Sequence, residues 1–318
     1  MILITGGTGF IGSHVLDRLA AAGEPVRALV RRKSALPAGV EAAYADLAED
    51  TELSNALRGV TVIIHIAGAV KAVRPADYYR GNVRATENLA RAARGRGIRF
   101  VHVSSLAACG PCPDMTPLNE ECEPAPITHY GKSKLEGEQA ARTHLPDAVI
   151  VRPPVVYGPR DTGVYSILKS VSQGIMLQIA GGERWFSMVY VDDLVDGLLA
   201  AVRTPLAAGR TYFISHPDPL NWSALGAEAA RIMGRKPLIV RVPIPAAYAV
   251  GCFGETWGRL TRRPGFVTRE KITEATRARW VCDSRRASAE LGAHLHTSLT
   301  AGLTRTLAWY KEAGWLKY

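Results

Sequence analysis

The sequence predicts an α/β fold, a doubly wound parallel sheet with a smaller C-terminal substrate-binding domain, and three observations predict it. Short β-branched runs alternate with Ala-rich helical stretches, strand candidates such as Val62-Ile63-Ile64-His65-Ile66 are apolar on both faces, and glycines cluster at the first strand-to-helix junction. In chain order the alternation runs through 2–4, 13–22, 26–30, 60–66, 82–94, 100–103, 128–143 and 149–152. A strand apolar on both faces needs helices above and below it, which is the doubly wound arrangement. After Pro153-Pro154 the pattern loosens into Pro- and Gly-punctuated segments. Residues 1–160 are therefore expected to form the sheet domain and 161–318 mainly a lid over the substrate, with the chain returning to the sheet near 186–215.

The 318 residues, 47% hydrophobic and 21% charged, suffice for one large or two modest domains and exclude a disordered or fibrous chain. The formal charge of +10 favours anionic ligands, but the arginines are scattered and lack a stacking-aromatic module, so nucleic acid is not expected as a partner. No basic or apolar leader precedes the first strand, and no uncharged apolar run reaches the ~18–20 residues of a bilayer span, so a cytoplasmic location is expected. Cys109, Cys112, Cys122, Cys252 and Cys282 are too sparse for a disulfide scaffold.

Gly6, Gly7, Thr8, Gly9, Phe10, Ile11 and Gly12 follow the first strand and open a helix, the context in which a glycine fingerprint binds a dinucleotide pyrophosphate at a helix N-terminus. The second strand ends in Arg31-Arg32-Lys33, where an acid would grip an unmodified ribose. Cations at Arg31 and Arg32 complement a 2′-phosphate, so NADP is expected in preference to NAD. Asp46-Leu47 has the form of an adenine-edge contact; Asp46 read instead as a cap for a helix over 49–57 is the competing view.

Tyr130 and Lys134 lie four apart on a predicted helix, hence on one face. A free phenol titrates at about 10, and a neighbouring ammonium is expected to lower that value, making Tyr130 an acid/base for hydride transfer between alcohol and carbonyl. Ser105, at the carboxyl end of a buried strand, is placed to orient the substrate oxygen.

The ordered set of motifs resembles the extended short-chain dehydrogenase/reductase family, also called the NAD-dependent epimerase/dehydratase family. It comprises the glycine loop, His65-Ile66-Ala67-Gly68, Asn82 with the segment 86–89, Val103-Ser104-Ser105, Tyr130 with Lys134, Arg152-Pro153, Tyr157-Gly158-Pro159 and the segment 189–194. The resemblance covers about two-thirds of the chain. It implies a Rossmann-type domain, Tyr130 as acid/base, Lys134 binding the nicotinamide ribose and tuning Tyr130, Ser105 positioning substrate and Asn82 supporting the helix or a water relay. It also implies cofactor contacts at Ile66, Ala67, Gly68 and Pro153, and pairing into a homodimer. For Asn82, an N-cap of the helix running to Arg94 is the competing view.

Leu106-Ala107 follows Ser105 where similar dehydratases carry an Asp-Glu pair, which disfavours elimination. Val155 and Phe186 stand where similar epimerases place an Asn and an Arg on the substrate diphosphate, with Arg184 a register shift away. The pattern is closest to dihydroflavonol reductase and 3β-hydroxysteroid dehydrogenase-like members. An NAD(P)-dependent oxidoreductase acting on a small-molecule alcohol or carbonyl without a nucleotide diphosphate is therefore expected. A nucleotide-sugar epimerase working through a transient keto intermediate is the alternative, and a non-catalytic cofactor sensor the second alternative.

Two further signals stand in the sequence. Cys109-Gly110-Pro111-Cys112 has redox-motif spacing, but Pro113 stands where the helix should continue, and Cys109, Cys112, Cys122 and His129 make a poor zinc set beside the proposed site, so no metal is expected. The stretch 246–260, with Tyr248, Val250, Phe253 and Trp257 at helical spacing before Arg262 and Arg263, fits either peripheral membrane contact or a helix covering the cleft.

Overall fold

The computed structural model describes every residue except 50–52, 115, 262–264, 266 and 294–296. Its central sheet has seven strands: β1 (Ile2–Thr5), β2 (Val26–Val30), β3 (Glu41–Tyr44), β4 (Val62–His65), β5 (Arg99–Val103), β6 (Val149–Arg152) and the late strand Thr211–Phe213. All neighbours are parallel, in the spatial order 211–213, β6, β5, β4, β1, β2, β3. The order reverses between β1 and β4, so their carboxyl ends flank the crevice where open α/β sheets bind ligands.

The apolar strands have both faces covered. Ile4, Ile64 and Val101 pack with Val15, Leu16 and Leu19 of the first helix, α1 (Phe10–Ala21), and with Leu194 and Leu198 of the helix Val191–Arg203. On the other face Leu3, Ile63 and Phe100 pack with Leu89 and Ala93 of Ala85–Ala93 and with Ala141 of the helix His129–His144. Successive strand residues thus feed opposite cores, which is why the strands read as continuous hydrophobic runs. A third core gathers Tyr157, Leu168, Phe186, Leu225 and Leu307 among the helices Tyr165–Ser172, Trp222–Met233 and Leu299–Glu312.

The structure corrects several local expectations. Helix α1 begins at Phe10, because extended Gly9 serves as its N-cap. The segment carrying Asn82 belongs to a longer helical run, Pro75–Tyr79, a π-helical turn Arg80–Arg84 and Ala85–Ala93. Pro75 starts that run at the position where its missing N–H costs nothing. Asn82 is therefore buried mid-run and is not an N-cap. Asp46 accepts from the Ala48 amide at 2.9 Å in a local turn, and the described helix is only Leu53–Ala56, so Asp46 does not cap it. Residues 50–52 of that expectation lie outside the described ones.

Candidate active site

The glycine loop forms a cradle at the head of α1. Gly6 has φ +71, and a Cβ there would lie 2.6 Å from the Ala67 amide nitrogen, so the loop presses onto the segment after β4. A Cβ on Gly12 would stand 2.2 Å from the Gly6 carbonyl oxygen. No side chain caps α1 and no acid occupies its first turn, leaving its amides and positive dipole end for an anion. Phe10, Ile11, Ile66, Gly68 and Pro153 line the adjoining cleft. These observations fit a dinucleotide pyrophosphate. Arg31 and Arg32 are exposed just past β2, and no ion pair is recorded for either among the described residues. Asp46 holds Arg80 at 3.5 Å, while Leu47 packs into the core.

Tyr130 sits in the first turn of the helix His129–His144, whose N-cap Thr128 accepts from the Gly131 amide at 3.1 Å. A Cβ on Gly131 would meet the Ala107 carbonyl oxygen at 2.3 Å, so only glycine lets this helix close on the loop that carries Ser105. Ser105 lies two residues past β5 as the N-cap of the turn Leu106–Ala108, accepts from the Ala107 amide at 3.1 Å, and faces the Tyr130 phenol across the cleft. Ser105, Tyr130, Lys134 and Asn82 all line one cleft.

The electrostatics differ from the expectation that Lys134 acidifies the phenol. Burial pushes Tyr130 up to about 12, the Ser105 hydrogen bond opposes that rise, and Glu274 and Tyr78 add to it. Burial holds Lys134 down to about 8, with Glu138 opposing, and its Nζ donates to the Val103 carbonyl at 2.7 Å. The residues of the chain thus keep the phenol protonated at neutral pH. Asn82 braces the site: its Oδ1 accepts from Ala69 N at 2.7 Å, while Nδ2 donates to Ala69 O at 3.0 Å and to Ser133 Oγ at 2.8 Å. It ties the loop after β4 to the helix His129–His144 from within a π-helical turn, a distortion frequent at functional sites.

Beneath Ser105 lies a buried ion pair. Arg152 donates to Glu138 through Nε at 2.9 Å and Nη2 at 2.6 Å and to Cys109 Sγ at 2.9 Å, and Ser104 donates to Glu138. Cys122 packs against the cluster that holds Cys109, and the proximity of the two thiols pushes Cys109 up and Cys122 down. Cys112 turns instead to the backbone of Val281 at 3.1 Å, so the motif's two thiols have different partners. Among the described residues no group of three or more His, Cys, Asp and Glu could hold a metal ion, and no helix is long and apolar enough to cross a membrane.

The cleft has a volume of about 440 Å³. Its outer wall is apolar, with Val155, Ile167, Trp185 and Trp280, and Phe186 stacks on Trp222 at 4.1 Å. Arg184 reaches the cleft, yet its guanidinium donates to the carbonyls of Ile179, Ala180 and Gly182 at 2.7–2.9 Å. Sequence reasoning missed Lys271, Glu274 and Arg277, which border the cleft from the helix Arg269–Thr276 and its end. Glu274 accepts from Thr128 Oγ1 at 3.2 Å and from Lys271 Nζ at 3.1 Å. No local pattern marks these residues, which lie on a short polar helix far along the chain.

The family model described as the NAD dependent epimerase/dehydratase family matches residues 2–215. The chain is 33% identical to a "Ceramide reductase" of Caulobacter vibrioides, over 99% of this chain and 96% of that protein. It is 30% identical to a "4-hydroxy-2-methyl-3-oxo-4-farnesyl-3,4-dihydroquinoline-1-oxide ketoreductase" of Stigmatella aurantiaca, over 80% of each. A "UDP-glucose 4-epimerase" of Vibrio cholerae is 29% identical over 81% of this chain and 82% of its own. The crystal structure of gox2253 superposes with a TM-score of 0.82 at 28% identity, covering 100% of this chain and 99% of that one. With the match running from the first strand through the late strand of the Rossmann-like sheet, the chain belongs to the NAD-dependent epimerase/dehydratase family, whose homologues include both reductases and epimerases.

Proposed function

We propose that the protein is an NADP-dependent reductase converting a ketone on an amphiphilic, lipid-like substrate to the alcohol. The observation that carries this reading is the outer wall of the cleft. Arg184 is committed to its own loop, Phe186 to Trp222, and Val155 offers no amide, so that wall presents hydrocarbon where a diphosphate would need donors. Two reductase relatives are named for ceramide and for a farnesyl-bearing ketone, both substrates with long hydrocarbon parts. Arg31 and Arg32 supply the complement of a 2′-phosphate.

The dinucleotide, when bound, supplies the hydride. Ser105 and Tyr130 hold the substrate carbonyl oxygen, and Tyr130, protonated at neutral pH, gives that oxygen its proton as the carbonyl carbon gains its C–H bond. The phenolate left behind regains a proton from water. A raised phenol pKa suits this direction, which needs an acid.

Arg277, an exposed guanidinium bordering the cleft, favours a second reading as an epimerase of a diphosphate-bearing sugar. Turnover separates the two. With NADPH and a 3-oxo-acyl amide, loss of NADPH absorbance with formation of one alcohol per NADPH is expected, and Tyr130→Phe should slow it about 100- to 10,000-fold while sparing cofactor binding. Epimerisation of a nucleotide sugar without net NADPH use would transfer the case to the second reading. Cofactor binding without any turnover would leave a sensor.

A further inference from the structure

The helix Ile244–Thr261 has two unlike faces. One packs on residues 267–273: a Cβ on Gly254 would lie 2.1 Å from the Val267 carbonyl, Glu255 takes Arg269 Nε at 2.7 Å, and Tyr248 meets Thr273 Oγ1 at 3.1 Å. The other carries Val250, Phe253, Trp257 and Leu260, exposed by 55, 70, 56 and 77%. Their spacing of three and four residues makes one stripe, along which the Phe253 and Trp257 rings stack at 6.3 Å. Glu255, the only acid of the helix, is neutralised by Arg269. Arg241 just before the helix and Arg259 in its last turn are exposed, with no ion pair recorded for either among the described residues. In sequence Arg262 and Arg263 follow, outside the described residues.

We propose that this helix docks the protein on an anionic lipid bilayer, lying in the headgroup layer with Phe253 and Trp257 inserted. Charge selects this occupant. Aromatic and aliphatic groups flanked by exposed cations match an apolar layer under anionic headgroups. A second copy packed symmetrically on the same stripe would bring like-charged ends together. The helix is not apolar enough to span, so it lies in the interface.

Docking also places the cleft. The helix Arg269–Thr276, on which the docking helix packs, borders the cleft with Lys271 and Glu274, and Glu270 accepts from the His129 amide at 2.6 Å beside Tyr130. A substrate with hydrocarbon tails would enter from the lipid surface at this rim, a consequence that rests on the reductase reading; the docking itself does not.

The test is co-sedimentation of the whole protein with vesicles of phosphatidylcholine containing phosphatidylglycerol, against vesicles of phosphatidylcholine alone. Binding to the anionic vesicles is expected, at least about tenfold weaker to the neutral ones. Phe253→Ser/Trp257→Ser and, separately, Arg241→Glu/Arg259→Glu should each weaken it at least about tenfold. The charge variant removes no packed group, so it keeps the test sound should the apolar variant misfold. Both variants should keep the wild-type rate on a soluble short-chain ketone. No sedimentation with anionic vesicles, or unchanged sedimentation of both variants, overturns the proposal. A change from dimer to monomer in Phe253→Ser/Trp257→Ser with vesicle binding intact does so too, and assigns the stripe to a second copy. Vesicle binding as expected, with no turnover of any ketone by the wild type, upholds docking and refutes only the reductase reading.

Discussion

Glu138→Gln should be among the most damaging conservative changes in this chain, although Glu138 touches no substrate. The amide keeps the shape of the side chain but leaves the Arg152 guanidinium without its counter-charge, with both side chains at most 6% exposed. Removing one partner of such a pair costs about 3–5 kcal/mol, because the remaining charge stays desolvated. That is a large part of the about 5–15 kcal/mol that holds a typical domain folded. Burial also shields the pair from the solvent screening that makes exposed ion pairs nearly worthless. Equilibrium urea unfolding followed by tryptophan fluorescence gives the loss as a fall in midpoint at unchanged slope. Glu138→Met combined with Arg152→Met removes both charges and should recover most of the deficit, since hydrophobic replacement of a buried pair is often neutral. A loss below about 1 kcal/mol in Glu138→Gln would mean the pair is screened like a surface one, and the account of the ground beneath Ser105 would fail. Because Ser104 donates to the same carboxylate, kcat should fall more than KM rises.

Arg31→Ala/Arg32→Ala should weaken NADPH binding at least about tenfold while leaving NADH nearly unchanged, measured by nucleotide fluorescence titration; equal losses for both nucleotides would contradict the 2′-phosphate assignment. Lys134, held at about 8 in the fold against 10.5 ordinarily, is neutral in the folded chain but protonated in the unfolded one between those values. The unfolded state binds more protons there, so this group makes stability rise with pH across that window, by up to about 3 kcal/mol. Urea midpoints at both ends of the window should show an upward difference for wild type that Lys134→Met lacks. Gly12→Ala, whose Cβ would lie 2.2 Å from Gly6 O, should distort the cradle, weaken nucleotide binding at least about tenfold and cost about 1–3 kcal/mol of stability. Wild-type affinity in that variant would show that the loop yields without cost.

What the sequence by itself determined is what neighbours along the chain decide. The two-faced apolar runs of β1, β4, β5 and β6, the glycine loop ahead of α1 and the Tyr130–Lys134 spacing depend on periodicity and backbone freedom within a few residues, and each stands in the structure where its pattern places it. Tertiary structure decided the rest. Tyr130 is driven up and Lys134 down because burial sums contributions from segments distant in sequence, and no local pattern reports it. The same holds for partners: Cys109 meets Cys122 and Arg152 instead of Cys112, Arg184 closes on its own loop, and Glu274 crosses from a late helix to Thr128. Even Asn82, legible as a residue worth naming, acquired its place only when the run from Pro75 passed through a π-helical turn and brought it between Ala69 and Ser133. Short-range sterics can be read from one stretch of chain, whereas desolvation and charge pairing depend on which distant stretches the fold brings together.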